Sequence, residues 1–171
     1  LVSTPTLYFA VGHYGYSGGI MVSASHNPKD WNGFKLVRAQ GHPVSGETGL
    51  SWIKERILNS TQLESDKPGF ISPGKDVLGE EIAYALSFAP KSDIKPLKII
   101  ADTANGMGAT YLEPLLSSLP VSLTRLNFKL DGTFPAHEAD PLKPENMLEL
   151  SQAVVSEKAD LGIATDGDGD R

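Results

Sequence analysis

Three aspartates that alternate with glycines follow an apolar run near the end of the sequence. Leu161–Ala164 predicts a central parallel strand, which leads into Asp166, Asp168 and Asp170. Carboxylates this close together repel one another unless a cation lies among them, and oxygen ligands suit Mg²⁺ or Ca²⁺. The glycines let the backbone curl so that alternate side chains converge. The spacing therefore predicts a metal site beyond the carboxyl end of a strand.

This Asp/Gly segment has two other interpretations that the residues alone leave open. A solvated acidic turn at the protein surface has the same composition. The calcium loop of an EF-hand also begins with alternating acidic residues, but it follows a helix and requires a glutamate several residues further along. Here a strand-like run precedes the segment, which favours a site in an α/β sheet over an EF-hand.

A second polar loop places a serine, a histidine and an asparagine in one turn. Residues 20–22 predict a buried strand, Ser25, His26 and Asn27 follow it, and Lys35 lies on the next predicted strand. An exposed serine at a strand end can act as a nucleophile or phosphoryl carrier when a base lies nearby. Serine, asparagine and proline also form ordinary turns, and spacing alone favours that interpretation. The G-x-S-x-G, P-loop and G-x-G-x-x-G motifs are absent from the sequence.

The remaining elements predict an α/β protein with mixed or parallel sheets and crossover helices. Pro5 predicts the first turn of a short helix. From residue 97 onward strands and helices alternate, as they do in a parallel sheet. The proline-bounded stretch 90–96 lacks periodicity and divides the chain into domains 1–92 and 93–171. Strands are predicted at 20–22, 34–37, 97–101, 121–126 and 161–164, and helices at 45–58, 76–88, 109–119 and 144–158.

The composition excludes several classes of function. The 171 residues have a net charge of −6 and a pI of about 5.1, and none of them is cysteine. Disulfide scaffolds, thiolate zinc sites and cysteine nucleophiles are therefore excluded. An acidic chain without Lys/Arg runs is a poor nucleic-acid binder, and no apolar run approaches the roughly 20 residues of a membrane helix. We expect a globular, cytoplasmic protein that binds neither nucleic acid nor membrane.

Three segments together resemble the α-D-phosphohexomutase family, and within it the phosphomannomutase/phosphoglucomutase group. They occur in the family's order and at about its spacing, so the resemblance extends over the whole chain. Shorter matches lie at residues 3–5, 18–21, 102–108 and 144–146. The three segments are Ser-Ala-Ser-His-Asn-Pro at 23–28 (the serine loop), Asn-Gly-Phe-Lys at 32–35, and Asp-Gly-Asp-Gly-Asp-Arg at 166–171 (the aspartate loop).

The resemblance implies a role for each matching residue. Ser25 carries the transferable phosphoryl group, whose oxygen is one ligand of Mg²⁺, and Asn27 is a structural member of the serine loop. His26 and Lys35 help to transfer the proton and to hold the phosphoryl group, and Arg171 lies in the cleft near the phosphoserine. The remaining metal ligands are Asp166, Asp168 and Asp170.

The resemblance also implies a reaction and a larger assembly. Hexose 1-phosphate and hexose 6-phosphate are interconverted through phosphoserine and a hexose 1,6-bisphosphate, with mannose or glucose as the sugar. The family has four domains around one cleft, and this chain matches the later part of the first and most of the second. The implied partners are a phosphosugar and the remaining domains of the same enzyme. The chain by itself is therefore expected to be inactive as a mutase.

Three alternatives stay open at this point. Phosphoglucosamine mutase shares the fold and the chemistry, and Ser23 stands where many mannomutase-type members have threonine. A non-catalytic module that binds Mg²⁺ or phosphate would retain the same loops without turnover. A calcium-loop structural protein would explain the aspartates but would leave the serine loop without a purpose.

Overall fold

The computed structural model describes residues 1–60 and 67–171 and has the predicted α/β architecture. An antiparallel hairpin forms the first sheet, and three parallel strands form the second. Within the described ranges, the helices are too short or too polar to cross a membrane. The α-helices are α1 (Thr4–His13), α2 (Ser51–Leu58), α3 (Leu78–Ser87), α4 (Gly108–Ser117) and α5 (Leu148–Ser156); the strands are β1 (Gly18–Val22), β2 (Phe34–Arg38), β3 (Leu97–Asp102), β4 (Val121–Leu126) and β5 (Leu161–Ala164).

Helix α1 packs on one face of the hairpin because Gly19 leaves room for it. A Cβ atom at Gly19 would lie 2.7 Å from Leu7 Cδ1 and 2.8 Å from Val11 Cγ2, so a larger residue would push the helix away. On the opposite face Ile20 is 66% exposed and Val22 is 60% exposed. The prediction of a buried strand here is therefore wrong, because an apolar run does not reveal how many faces of a strand are covered.

Strand β3 lies at the centre of the parallel sheet, between β4 and β5. Ala101 in β3 has no exposed surface, whereas Leu161 in β5 is 45% exposed. The prediction that residues 161–164 are central is wrong within the described chain, since strand order depends on tertiary pairing rather than on apolar pattern. Parallel pairing places Asp102 opposite Ala164, so the carboxyl ends of β3 and β5 lie at one edge.

The α-helices lie where the sequence predicts them, although two begin later than expected. Gly46–Leu50 forms a π-helical turn before α2, because Gly49 has a φ of 152° that interrupts regular helix. Ser45 caps this turn, and its Oγ accepts a hydrogen bond from Thr48 N over 3.2 Å. Pro144–Met147 forms a 3₁₀ turn before α5. Ser45 and Pro144 therefore mark where helical structure begins, whereas the α-helices themselves begin later, at Ser51 and Leu148.

Glu81 of α3 is a buried carboxyl whose ionisation should oppose folding. It is 5% exposed, and its Oε2 accepts a hydrogen bond from Thr6 Oγ1 over 2.7 Å. Burial raises the pKa of Glu81, and the Thr6 hydrogen bond offsets this only in part. Because the pKa of Glu81 is higher in the folded chain than in the unfolded chain, protonated Glu81 contributes to stability at low pH. This contribution is lost as the pH rises above the ordinary pKa of about 4.3.

We therefore expect Glu81→Gln to gain stability relative to the parent chain as the pH rises from about 4.3 towards 7. Urea denaturation at several pH values measures the difference in the free energy of unfolding. Glu80→Gln is the matched control, since this neighbour is exposed, and it should show no such gain. A difference between Glu81→Gln and the parent chain that does not change with pH would contradict the expectation.

Candidate active site

The serine loop and the aspartate loop meet directly. Ser25 Oγ donates a hydrogen bond to Asp166 Oδ2 over 2.6 Å, and Arg171 Nη2 donates to Ser25 Oγ over 3.2 Å. His26 Nδ1 lies 3.4 Å from the same hydroxyl. Arg171 also reaches Asp166, with 3.3 Å between Nε and Oδ2. The structure thus gathers three other sequence-predicted site residues around the Ser25 hydroxyl.

The absence of a side chain at Gly167 allows the two loops to approach so closely. A Cβ atom at this position would lie 2.3 Å from the carbonyl oxygen of Ser25, which is far inside van der Waals contact. The Gly167 carbonyl oxygen accepts a hydrogen bond from Met107 N over 2.9 Å, which fixes the aspartate loop from the other side. A glycine is therefore required here for packing between the loops.

Ser25 has an unusual backbone conformation, with a φ of 55°. Residues other than glycine adopt this left-handed region rarely, and such strain of about 1–3 kcal/mol concentrates at functional sites. Ser23 Oγ accepts a hydrogen bond from Ser25 N over 2.9 Å and supports the turn. This conformation presents the Ser25 hydroxyl to the aspartate loop.

Asp168 lies at the centre of a second group of polar contacts. Its Oδ2 accepts hydrogen bonds from Ser23 Oγ over 2.6 Å and from Thr4 Oγ1 over 2.8 Å. Lys35 Nζ lies 2.8 Å from the same oxygen and 2.5 Å from Asp170 Oδ2. Lys35 therefore joins two of the three aspartates, and the structure places every sequence-predicted site residue in one cluster.

Comparison with known proteins identifies the family. The model for phosphoglucomutase/phosphomannomutase α/β/α domain I matches residues 1–64, and the model for domain II matches residues 80–171. The chain belongs to the phosphoglucomutase/phosphomannomutase family. The resemblance drawn from the loop motifs is thereby confirmed, including its phosphomannomutase/phosphoglucomutase grouping.

Individual relatives of the phosphoglucomutase/phosphomannomutase family agree with this assignment. The chain is 37% identical over its whole length to a protein named phosphohexose mutases from Xanthomonas campestris, and 36% identical to a phosphomannomutase/phosphoglucomutase from Pseudomonas aeruginosa. A crystal structure of a family protein from Burkholderia thailandensis superposes on the whole chain with a TM-score of 0.84 at 31% identity. The chain spans 38%, 35% and 38% of these three proteins, respectively.

The surroundings of Asp166 and Asp168 shift the pKa values of these two carboxyls in opposite directions. Burial raises the pKa of Asp166, with a further rise from the charges of Asp168 and Asp170 that the hydrogen bond from Ser25 opposes. Burial also acts to raise the pKa of Asp168, but hydrogen bonds from Lys35 and two hydroxyls lower it overall. Burial acts to lower the pKa of Lys35, whereas its two aspartate partners raise it overall. A cation among these carboxylates would favour the ionised form of Asp166.

The arrangement of the aspartates fits a divalent metal ion. One carboxylate oxygen from each of Asp166, Asp168 and Asp170 lies within 4.8 Å of the others. Asp168 Oδ1 is buried and has no hydrogen-bond partner among the described residues. A buried carboxylate oxygen without a donor is costly unless a cation binds it. The oxygen-only donor set suits Mg²⁺.

Two residues that hold the aspartate loop were not predicted as site residues. Thr4 donates to Asp168 Oδ2 through its side chain, and Thr4 N donates to Asp168 O over 2.9 Å. Ser23 belongs to the serine loop motif, but nothing in the sequence indicated its contact with the aspartate loop. The available signal was the family match at residues 3–5, but nothing in the chain near Thr4 indicates that it contacts a loop at the opposite end of the sequence.

We expect Asp168→Asn to weaken Mg²⁺ binding by at least about 10-fold, since even changes outside the ligand shell have effects of that size. The substitution removes a carboxylate with a free, buried oxygen. Isothermal titration calorimetry with MgCl₂ measures the change. Asp93→Asn, which lies in the 3₁₀ turn before β3, is the control and should bind as the parent chain does. An unchanged titration of Asp168→Asn would mean that Asp168 is not a ligand.

Proposed function

We propose that this chain is the phosphoryl-transfer part of a phosphohexomutase that interconverts hexose 1-phosphate and hexose 6-phosphate of mannose or glucose. The observation that supports this most is the convergence of one serine hydroxyl with three carboxylates, a lysine and an arginine. Residues 1–92 and 93–171 are its two domains. A phosphosugar and the remaining domains of the enzyme are its partners, and the cytoplasm is its location.

Ser25 carries the phosphoryl group in this reaction. A sugar hydroxyl attacks the phosphorus, so that a P–O bond forms to the sugar while the bond to Ser25 Oγ breaks. The attacking hydroxyl must lose its proton to a base, and the leaving Ser25 Oγ must gain one. His26 takes part on the serine side of this proton transfer, because its Nδ1 lies 3.4 Å from Ser25 Oγ. The resulting hexose 1,6-bisphosphate then reorients and returns its other phosphoryl group to Ser25 Oγ.

Positive charge around Ser25 stabilises the transferring phosphoryl group. Lys35 and Arg171 lie beside the aspartates, where they can offset the charge on the equatorial oxygens. Mg²⁺ bound here would make the phosphorus more electrophilic and stabilise the leaving serine oxygen. The residues that would hold it are Asp166, Asp168 and Asp170, with a phosphate oxygen on Ser25.

The experiment that tests this function is phosphoryl transfer in the full-length protein. With glucose 1,6-bisphosphate and Mg²⁺, the protein should gain one phosphoryl group on Ser25, which peptide mass spectrometry locates. It should also convert mannose or glucose 1-phosphate to the 6-phosphate, and EDTA should abolish this turnover. A protein that binds Mg²⁺ but neither gains phosphate nor turns over any phosphosugar would instead be a non-catalytic module.

Phosphoglucosamine mutase activity is the second candidate, and Ser23 is the residue that favours it. Its hydroxyl contacts both Asp168 and the Ser25 backbone, so the exchange of threonine for serine falls inside the site. The same assay with glucosamine 1-phosphate distinguishes the two candidates through the ratio of kcat/KM values.

A further inference from the structure

A buried carboxylate outside the candidate active site lies at the carboxyl end of β3. Asp102 is 2% exposed. Its Oδ1 accepts hydrogen bonds from Ala104 N over 2.9 Å and from Asn127 Nδ2 over 3.1 Å. Its Oδ2 lies 3.0 Å from Nε2 of His137, which belongs to the long loop between β4 and α5. Neither the loop motifs nor the proposed reaction uses this pair.

Both ring nitrogens of His137 face groups that accept hydrogen bonds. Nδ1 lies 2.8 Å from the carbonyl oxygen of Glu138, and a carbonyl oxygen cannot donate. Nε2 faces the carboxylate of Asp102. An imidazole that donates from both nitrogens carries a proton on each and is positively charged. Opposite an ionised Asp102, this geometry favours an imidazolium.

We propose that His137 is a positioning residue, held as an imidazolium between Asp102 and Glu138, that clamps the loop of residues 127–143 beneath the serine loop and the aspartate loop. The clamp itself is independent of the proposed function. Only its effect on phosphoryl transfer rests on that function.

The loop of residues 127–143 packs against the aspartate loop. Ala139, two residues after His137, is 3% exposed, and its Cβ lies 3.5 Å from the position that a Cβ of Gly167 would occupy. The backbone oxygen of Asp102 accepts a hydrogen bond from Thr165 N over 3.1 Å, directly before the aspartate loop begins. Asp102 therefore contacts the residue before the aspartate loop, and the loop that carries His137 packs against Gly167 within it.

The loop of residues 127–143 also lies beside the serine loop. Phe134 and Glu138 line a cavity of about 170 Å³, and Asn27 and Pro28 of the serine loop line the same cavity. Ala139 and the Ser25 carbonyl oxygen both lie against Gly167, so release of His137 would let the loop shift at the point where the serine loop and the aspartate loop meet.

The charged groups on the elements around His137 favour its protonated form. Asp102 on β3 and Glu149 on α5 face it, and on its own loop Glu138 is paired with Lys143. Burial of the ring acts to lower the pKa of His137, but the hydrogen bonds and these acidic charges raise it overall. Because the folded pKa is raised, the clamp stabilises the fold below about pH 6.5 and is lost as the pH rises through the folded pKa.

NMR of the ring nitrogens in the chain labelled with isotopic histidine reads this protonation state without any assay of activity. We expect both nitrogens of His137, assigned by their loss in His137→Gln, to be protonated at pH 6.5 and to titrate above the ordinary value of about 6.5. A neutral ring at pH 6, or an ordinary titration midpoint, would overturn the proposal.

The positioning effect has its own readout. Backbone amide signals of Ala139, Gly167 and Asn27 in the parent chain should titrate with the midpoint of His137, and this holds even if His137→Gln does not fold. In a folded His137→Gln the titration should vanish, and Mg²⁺ affinity at pH 6 should fall about 3-fold or more. His13→Gln, which removes an exposed histidine paired with Glu80, should change neither.

If the backbone amides titrated with a midpoint different from that of the His137 ring, the positioning role would be overturned. Matching midpoints in a protein without mutase activity would support the clamp and contradict the proposed function, so the two failures are distinguishable.

Discussion

Replacement of Ser25 by alanine should lower mutase activity of the full-length protein by at least about 10³-fold, a scale typical for loss of a covalent nucleophile. Alanine has no oxygen that can bond to phosphorus, so neither the phosphoserine nor the return of the second phosphoryl group can occur at this position. The measurement is the initial rate with glucose 1-phosphate, Mg²⁺ and glucose 1,6-bisphosphate, together with peptide mass spectrometry of the protein after incubation.

Ser151→Ala is the matched control for this substitution. Ser151 is exposed on α5 and donates to Met147 O over 2.7 Å, so its loss should leave activity unchanged. The Ser25 variant should itself fold normally, because removal of one loop hydroxyl costs about 1 kcal/mol. Full activity in Ser25→Ala would exclude Ser25 as the phosphoryl carrier.

Gly167→Ala should separate the two loops and lower activity by about 10²-fold, the cost of a displacement near 1 Å at a reacting centre. The added Cβ would lie 2.3 Å from the backbone oxygen of Ser25, and a backbone atom cannot rotate away as a side chain can. We also expect the free energy of unfolding to fall by about 1–3 kcal/mol from overpacking. Urea denaturation, Mg²⁺ titration and the mutase assay together measure these effects.

Gly79→Ala tests whether the effect at Gly167 is steric. A Cβ at Gly79 would have no heavy atom within 4 Å, and the residue is exposed on α3. Alanine in a helix is favoured over glycine by about 1 kcal/mol, so this variant should be at least as stable as the parent and bind Mg²⁺ normally. Equal losses in the two variants would contradict a specific contact between Gly167 and Ser25.

The sequence predicted the α/β fold class, and it named residues that the structure gathers in one cluster, whose roles stay predictions. The three aspartates stand out because like charges at alternate positions have few structural uses, and Ser25 stands out once a second family motif accompanies it. Thr4 was missed because a threonine in the first turn of a helix looks like part of a cap. Its contact with Asp168 depends on how two distant segments pack, and local residue types do not encode that packing.

Strand order and strand exposure escaped prediction for a related reason. The apolar run at 161–164 resembles any buried parallel strand, yet β3 rather than β5 lies at the centre of the described sheet. The run at 20–22 is apolar although two of its three side chains are exposed. In both cases the hydrophobic pattern indicates a strand correctly, while its neighbours are determined by the rest of the chain.

The anchoring of Asp168 by Thr4 has a consequence for how the protein folds. These two residues are 164 positions apart, and Ser25 and Asp166 are 141 positions apart. Contacts of such high sequence separation form late, after the entropy of a long loop has been lost. During synthesis the hairpin and α1 leave the ribosome well before the aspartate loop exists. Refolding followed by pulsed hydrogen exchange should therefore show protection of the Thr4 amide arriving with β5, after α1 has already formed.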